Sequence, residues 1–245
     1  MNQDKDLTAI ISLIRHGEKD GSGELTLTGQ KQSREKGIKT PYLGGDIILF
    51  HSGSDRVKKT IRLAASYLRL NETDVEEIIE DTNLQDYETR LLHYLKNSKE
   101  QGEFFANWDK IEDSASARKE RMESFLALGD KSTEPEVYYS PIEMARNVSK
   151  LVETQIDFAL ITTPESRTNF INGSHEPVIM SFIAYALSGF NRSTNPNLSE
   201  IGDSVDYTEG VDILVRQTVQ DYKLQMQFRD MKIDLDLEEI RRFIS

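Results

Sequence analysis

Leu7-Thr8-Ala9-Ile10-Ile11-Ser12-Leu13-Ile14 runs directly into Arg15-His16-Gly17-Glu18, and this stretch decides the fold. Its apolar and β-branched positions are almost continuous rather than alternating. That is the pattern of a strand buried on both faces, as in a parallel sheet covered by helices on each side. A central parallel strand is expected here, with Arg15 and His16 delivered at its carboxyl end, where open α/β sheets hold their ligands.

Working outward, Asp20 to Glu24 reads as a polar loop, and Thr26-Leu27-Thr28-Gly29-Gln30 opens a helix to about Lys39 with Thr28 as its N-cap. Asp46 to Phe50 is a second buried strand, and His51-Ser52-Gly53-Ser54 is the turn at its end. From Asp55 to Leu70 the residues Val57, Ile61, Leu63, Ala64 and Leu68 keep helical spacing. Arg56 therefore falls in a first helical turn, where backbone N–H groups and the helix dipole favour anions.

Downstream, residues 84 to about 165 read as a helical insertion or cap, with Phe104, Phe105, Trp108 and Phe125 packing its apolar side. Its last helix starts at Pro141 behind Ser140 as N-cap, with Glu143 closing a capping box, and runs to about Phe158. Thr168 to Ser174 is a strand that delivers His175, followed by a helix from Pro177 to Leu187. Gly210 to Val215 and Tyr222 to Phe228 form an edge hairpin, and Leu235 to Ile244 a closing helix. The prediction is a single α/β domain over 1–245, a three-layer sandwich with a largely parallel central sheet flanked by helices.

With 42 acidic against 30 basic residues the net charge is −12. Such a field repels nucleic acid and anionic membranes while leaving room for a local basic pocket. The chain has no cysteine, so disulfides, thiolate nucleophiles and cysteine metal sites are excluded. A polar N-terminus followed by a short apolar run is too brief for a membrane span. A cytoplasmic protein without nucleic-acid or membrane partners is expected.

Two of the four histidines, His16 and His175, are each expected at the end of a strand. A neutral imidazole can attack a phosphoryl group, and arginine forks such as Arg15 and Arg56 bind phosphate oxygens bidentately without losing their charge. A carboxylic acid must then protonate the leaving alkoxide. The competing readings are structural histidines with ion-paired arginines. For His51 and Ser52 the competing role is shaping or capping the turn, and for Lys58, Lys59 and Arg62 it is a solvated helix face.

Arg15-His16-Gly17-Glu18 resembles the RHGE signature of the histidine phosphatase superfamily, which includes the phosphoglycerate mutases. Leu25-Thr26-Leu27-Thr28-Gly29-Gln30-Lys31-Gln32 resembles its helix start, with Ser33 where alanine is usual. Ser52 to Thr60 keeps its S-x-x-x-R-x-x-x-T spacing, with Val57 in place of alanine, and Ser174-His175-Glu176-Pro177 resembles its second-histidine motif. The resemblance implies His16 as nucleophile, a phosphate pocket of Arg15, Arg56 and His175 joined by Ser52, and no metal or cofactor. For the proton donor it implies Glu88 or Asp86 slightly ahead of Glu176. The implied activity is hydrolysis of a phosphomonoester, on a phosphorylated small molecule or a phosphoprotein. Mutase chemistry, phosphohistidine protein phosphatase activity and a non-catalytic phospho-ligand or partner-binding domain are the alternatives.

Overall fold

The computed structural model describes residues 6–68, 78–85, 115–130, 139–162, 166–193, 201–202, 204–218 and 221–245. Their strands are β1 (Leu7–Arg15), β2 (Asp46–His51), β3 (Ile78–Glu80), β4 (Thr168–Ser174), β5 (Gly210–Gln217), β6 (Tyr222–Phe228) and β7 (Met231–Leu235). They form one sheet in the order β3-β2-β4-β1-β5-β6-β7. The pairs β3/β2, β2/β4 and β4/β1 are parallel, whereas β5, β6 and β7 extend the sheet antiparallel from β1. All nine residues of β1 are buried, as its unbroken apolar run requires.

The helices are α1 (Leu27–Lys39), α2 (Asp55–Leu68), α3 (Ala115–Leu126), α4 (Pro141–Ile161), α5 (Glu176–Leu187) and α6 (Leu237–Ile244). Alternating residues of the central strands split the core. Ile14, Leu49 and Ile171 pack with Ile61 and Ala65 of α2 on one face. Ala9, Ile11, Leu13 and Phe170 join α3, α4, α5 and α6 on the other. Among residues 84–165, read above as an insertion, α4 lies in the layer packed on the sheet, capped by the Ser140–Glu143 box. No helix among the described residues is long and apolar enough to cross a membrane.

Three local expectations change. The N-cap of α1 is Thr26, not Thr28, because the Thr26 hydroxyl accepts the Gly29 N–H at 2.9 Å while Thr28 is already helical. The edge hairpin carries a third strand, β7. Its residue Leu235 therefore belongs to a strand, and Asp236 caps α6, accepting the Glu238 N–H. Short β3 pairs with β2; three residues are too few to announce a strand by pattern alone.

Candidate active site

The glycines of the first two motifs hold the turn after β1 in place. A Cβ on Gly17 would lie 2.4 Å from the Gly29 carbonyl oxygen, and one on Gly29 would lie 2.2 Å from the carbonyl oxygen of Glu18. The start of α1 can thus press backbone to backbone against the turn. Gln32 Oε1 accepts the Glu18 N–H at 2.9 Å, and Thr26 donates to Glu18 Oε1 at 2.9 Å. From the other side, Thr60 of α2 accepts the Gly17 N–H at 3.1 Å. Glu18 is therefore tied into the N-terminus of α1.

His16 is 5 % exposed, and its Nδ1 donates to the Gly17 carbonyl at 2.7 Å. That bond places the ring proton on Nδ1 and leaves the Nε2 lone pair for chemistry. Burial, then the neighbouring His175, and also Arg56 and Arg15, hold the His16 pKa well below the usual imidazole value, against the opposing pull of the Gly17 bond. The ring is neutral at pH 7.

His175 occupies the N-cap position of α5 at the end of β4, in register beside β1 because Ser174 pairs with Arg15. The two imidazole centroids lie 5.2 Å apart, edge to face. Arg56 Nη2 lies 3.4 Å from His175 Nδ1, and Ser52 Oγ lies 3.0 Å from its Nε2. A guanidinium only donates, so Nδ1 is the acceptor and Nε2–H donates to Ser52. The turn from β2 into α2 carries these partners; Gly53 takes a left-handed φ of 87° there, and its N–H is accepted by His51 Nδ1 at 3.0 Å. His51 shapes the turn, and burial together with Lys58 lowers its pKa.

Arg15, 6 % exposed, donates from Nη1 to the Val205 carbonyl at 2.6 Å and from Nη2 to Glu176 Oε2 at 2.9 Å. Its Nε is buried and meets no acceptor among the described residues. The second oxygen of Glu176 accepts the Ser204 hydroxyl, so both Glu176 oxygens are engaged. The structure therefore gathers His16, Arg15, Arg56, His175, Ser52 and Glu176 at the carboxyl ends of β1, β2 and β4. Asp86 and Glu88 lie outside the described residues.

Sequence reasoning missed the segment before β5. Tyr207 lies with its ring centroid 4.4 Å beneath the Arg15 guanidinium carbon and 6.0 Å from the His16 ring. Its neighbours close the seam with β1: Thr208 N–H donates to the His16 carbonyl, and Arg15 N–H to the Glu209 carbonyl. The only local signal is a turn-like run ahead of Gly210, which says nothing of which strand will lie alongside.

No protein-family model matches the chain, and no curated protein matches it. Solved structures do. The native mycobacterial glucosyl-3-phosphoglycerate phosphatase superposes with a TM-score of 0.55 at 14 % identity, over 89 % of this chain and 97 % of that one. The fold is that of the histidine phosphatases. The complex of the same mycobacterial enzyme with inorganic phosphate gives a TM-score of 0.53 at 15 % identity, over 91 % of this chain and 97 % of that one. A protein described as mycobacterial hydrolase 1 gives 0.52 at 15 % identity, over 91 % and 99 %. This histidine phosphatase fold brings together all four of the separated motifs.

Proposed function

We propose that the chain is a cytoplasmic phosphatase that hydrolyses a phosphomonoester through a phosphohistidine on His16. The observation that carries this reading is the Nδ1–H bond of His16 to Gly17, which leaves Nε2 as the unprotonated nitrogen of a ring that burial and the neighbouring His175, Arg56 and Arg15 keep neutral. Nε2 forms the N–P bond as the ester P–O bond breaks in line, and the alkoxide leaves with a proton from an acid. Arg15 and Arg56 balance charge on the transferring oxygens. Water then attacks phosphorus, breaking the N–P bond and releasing inorganic phosphate.

Glu176 suits the task of orienting Arg15 better than that of donating a proton, since Arg15 and Ser204 hold its two oxygens. Asp86 and Glu88 remain the proposed donors. The similar mycobacterial enzyme, described as a phosphatase and solved with inorganic phosphate, supports the reaction class without naming the substrate of this chain.

The test is p-nitrophenyl phosphate hydrolysis with acid-sensitive trapping of phosphohistidine. Wild-type protein should release phosphate steadily without a bisphosphate primer, and His16→Ala should abolish both turnover and trapped label. Turnover that survives His16→Ala refutes the proposal. Replacing Asp86 or Glu88 singly should lower kcat more on esters with poor leaving groups than on p-nitrophenyl phosphate.

A further inference from the structure

Tyr207 lies on a segment pinned on both sides. Arg229 donates to the carbonyls of Ile201 at 3.1 Å and Ser204 at 3.0 Å, and pairs with Glu209 at 2.6 Å. Beyond Tyr207, Thr208 adopts a left-handed φ of 60°, and its N–H reaches the His16 carbonyl. Strain of that kind persists only where surrounding contacts hold it. The effect is to set the Tyr207 ring under the central carbon of the Arg15 guanidinium, 4.4 Å from the ring centroid.

We propose that Tyr207 is a positioning residue that fixes the plane of Arg15 before any phosphate arrives, so that its unpartnered Nε–H meets the anion without reorganisation. The proposal deepens the phosphatase reading and rests on it for the identity of the anion. Three constraints act on one guanidinium. Val205 takes Nη1, Glu176 takes Nη2, and the Tyr207 ring packs against the central carbon. Two hydrogen bonds at the far end of a long side chain still permit rocking about the line joining them; a flat aromatic surface opposes that motion and attracts the cation. The remaining donor, Nε–H, is buried without an acceptor among the described residues. A buried donor of a permanent cation is costly to leave unmet, and a bound phosphoryl oxygen is the group that would meet it. Preorganised donors of this kind stabilise charge without paying for reorientation during the reaction.

The experiment titrates inorganic phosphate by NMR into wild type, Tyr207→Phe and Tyr207→Leu, alongside kcat and KM on p-nitrophenyl phosphate. Tyr207→Phe keeps the ring and should bind phosphate within about twofold of wild type, whereas Tyr207→Leu should weaken binding by about five- to thirtyfold. In an Arg15→Ala background the leucine substitution should change phosphate affinity no further, because its effect runs through the guanidinium. If the leucine variant does not fold, Tyr207→Met, which also lacks a ring, is read the same way. Wild-type affinity in the leucine or methionine variant overturns the proposal. So does an equal loss in Tyr207→Phe, or a loss that persists without Arg15. Phosphate binding needs no turnover, so a protein that binds phosphate in a ring-dependent way but hydrolyses nothing would refute the phosphatase reading alone.

Discussion

At the scale of single residues, the tautomer of His16 matters more than its mere presence. The Gly17 carbonyl accepts the hydrogen bond from Nδ1–H, while burial and the neighbouring His175, Arg56 and Arg15 keep a second proton off the ring. The direction has a consequence for stability. The unfolded chain protonates His16 near its ordinary value of about 6.5 while the folded chain resists, so the unfolded state binds more protons once pH falls below about 6.5. This contribution is therefore present above that value and lost as pH drops toward the folded pKa. An NMR titration should show the His16 ring titrating below 6.5, and His16→Ala should flatten the fall in stability on the acid side. A midpoint at or above 6.5 would contradict the buried neutral ring. The residues proposed to carry this chemistry were nameable because the motif quotes them in order, and folding brings their side chains together. Tyr207 and Ser204 were not, because they act through Arg15 and Glu176 from a part of the chain whose neighbours only folding reveals.

Among the elements, the approach of α1 to the turn after β1 links packing to chemistry. Gly29→Ala drives a methyl group into the Glu18 carbonyl; overpacking of this kind costs about 1–3 kcal/mol. Displacing the turn by even a fraction of an ångström also moves His16, so kcat/KM should fall by at least about tenfold. Gly37 provides the control. Its Cβ would lie 2.2 Å from the Ala64 carbonyl oxygen where α1 crosses α2. Gly37→Ala should lose comparable stability, read by chemical denaturation, yet keep kcat/KM within about threefold, being two turns removed from the site. Equal activity losses in both variants would mean that α1 does not transmit position to the turn. Most helices were readable from periodicity and caps, as at Ser140. Thr26 was missed because Thr28 offers the same side chain two residues on, and only the backbone angles choose between them. Strand β7 was missed because its alternation of Met231, Ile233 and Leu235 is brief and runs straight into a helix.

Across the whole molecule, the sequence indicated an α/β sandwich but not its strand order. The buried character of β1 announced a centre; nothing in it announced that β4, more than 150 residues away, lies on one side and β5 on the other. In hydrogen exchange, amides of β1 and β4 should open only with global unfolding, and those of the edge strands β3 and β7 earlier. Early exchange in β1 would show that the antiparallel half is not part of the same cooperative unit.

The seam between β1 and the segment leading into β5 has a temporal meaning. His16 is made long before Thr208, which grips its carbonyl, and its neighbour Arg15 long before Val205 and Glu209, which hold it. A nascent chain emerging from the ribosome therefore carries the proposed nucleophile without a finished anion seat until the segment before β5 has followed it.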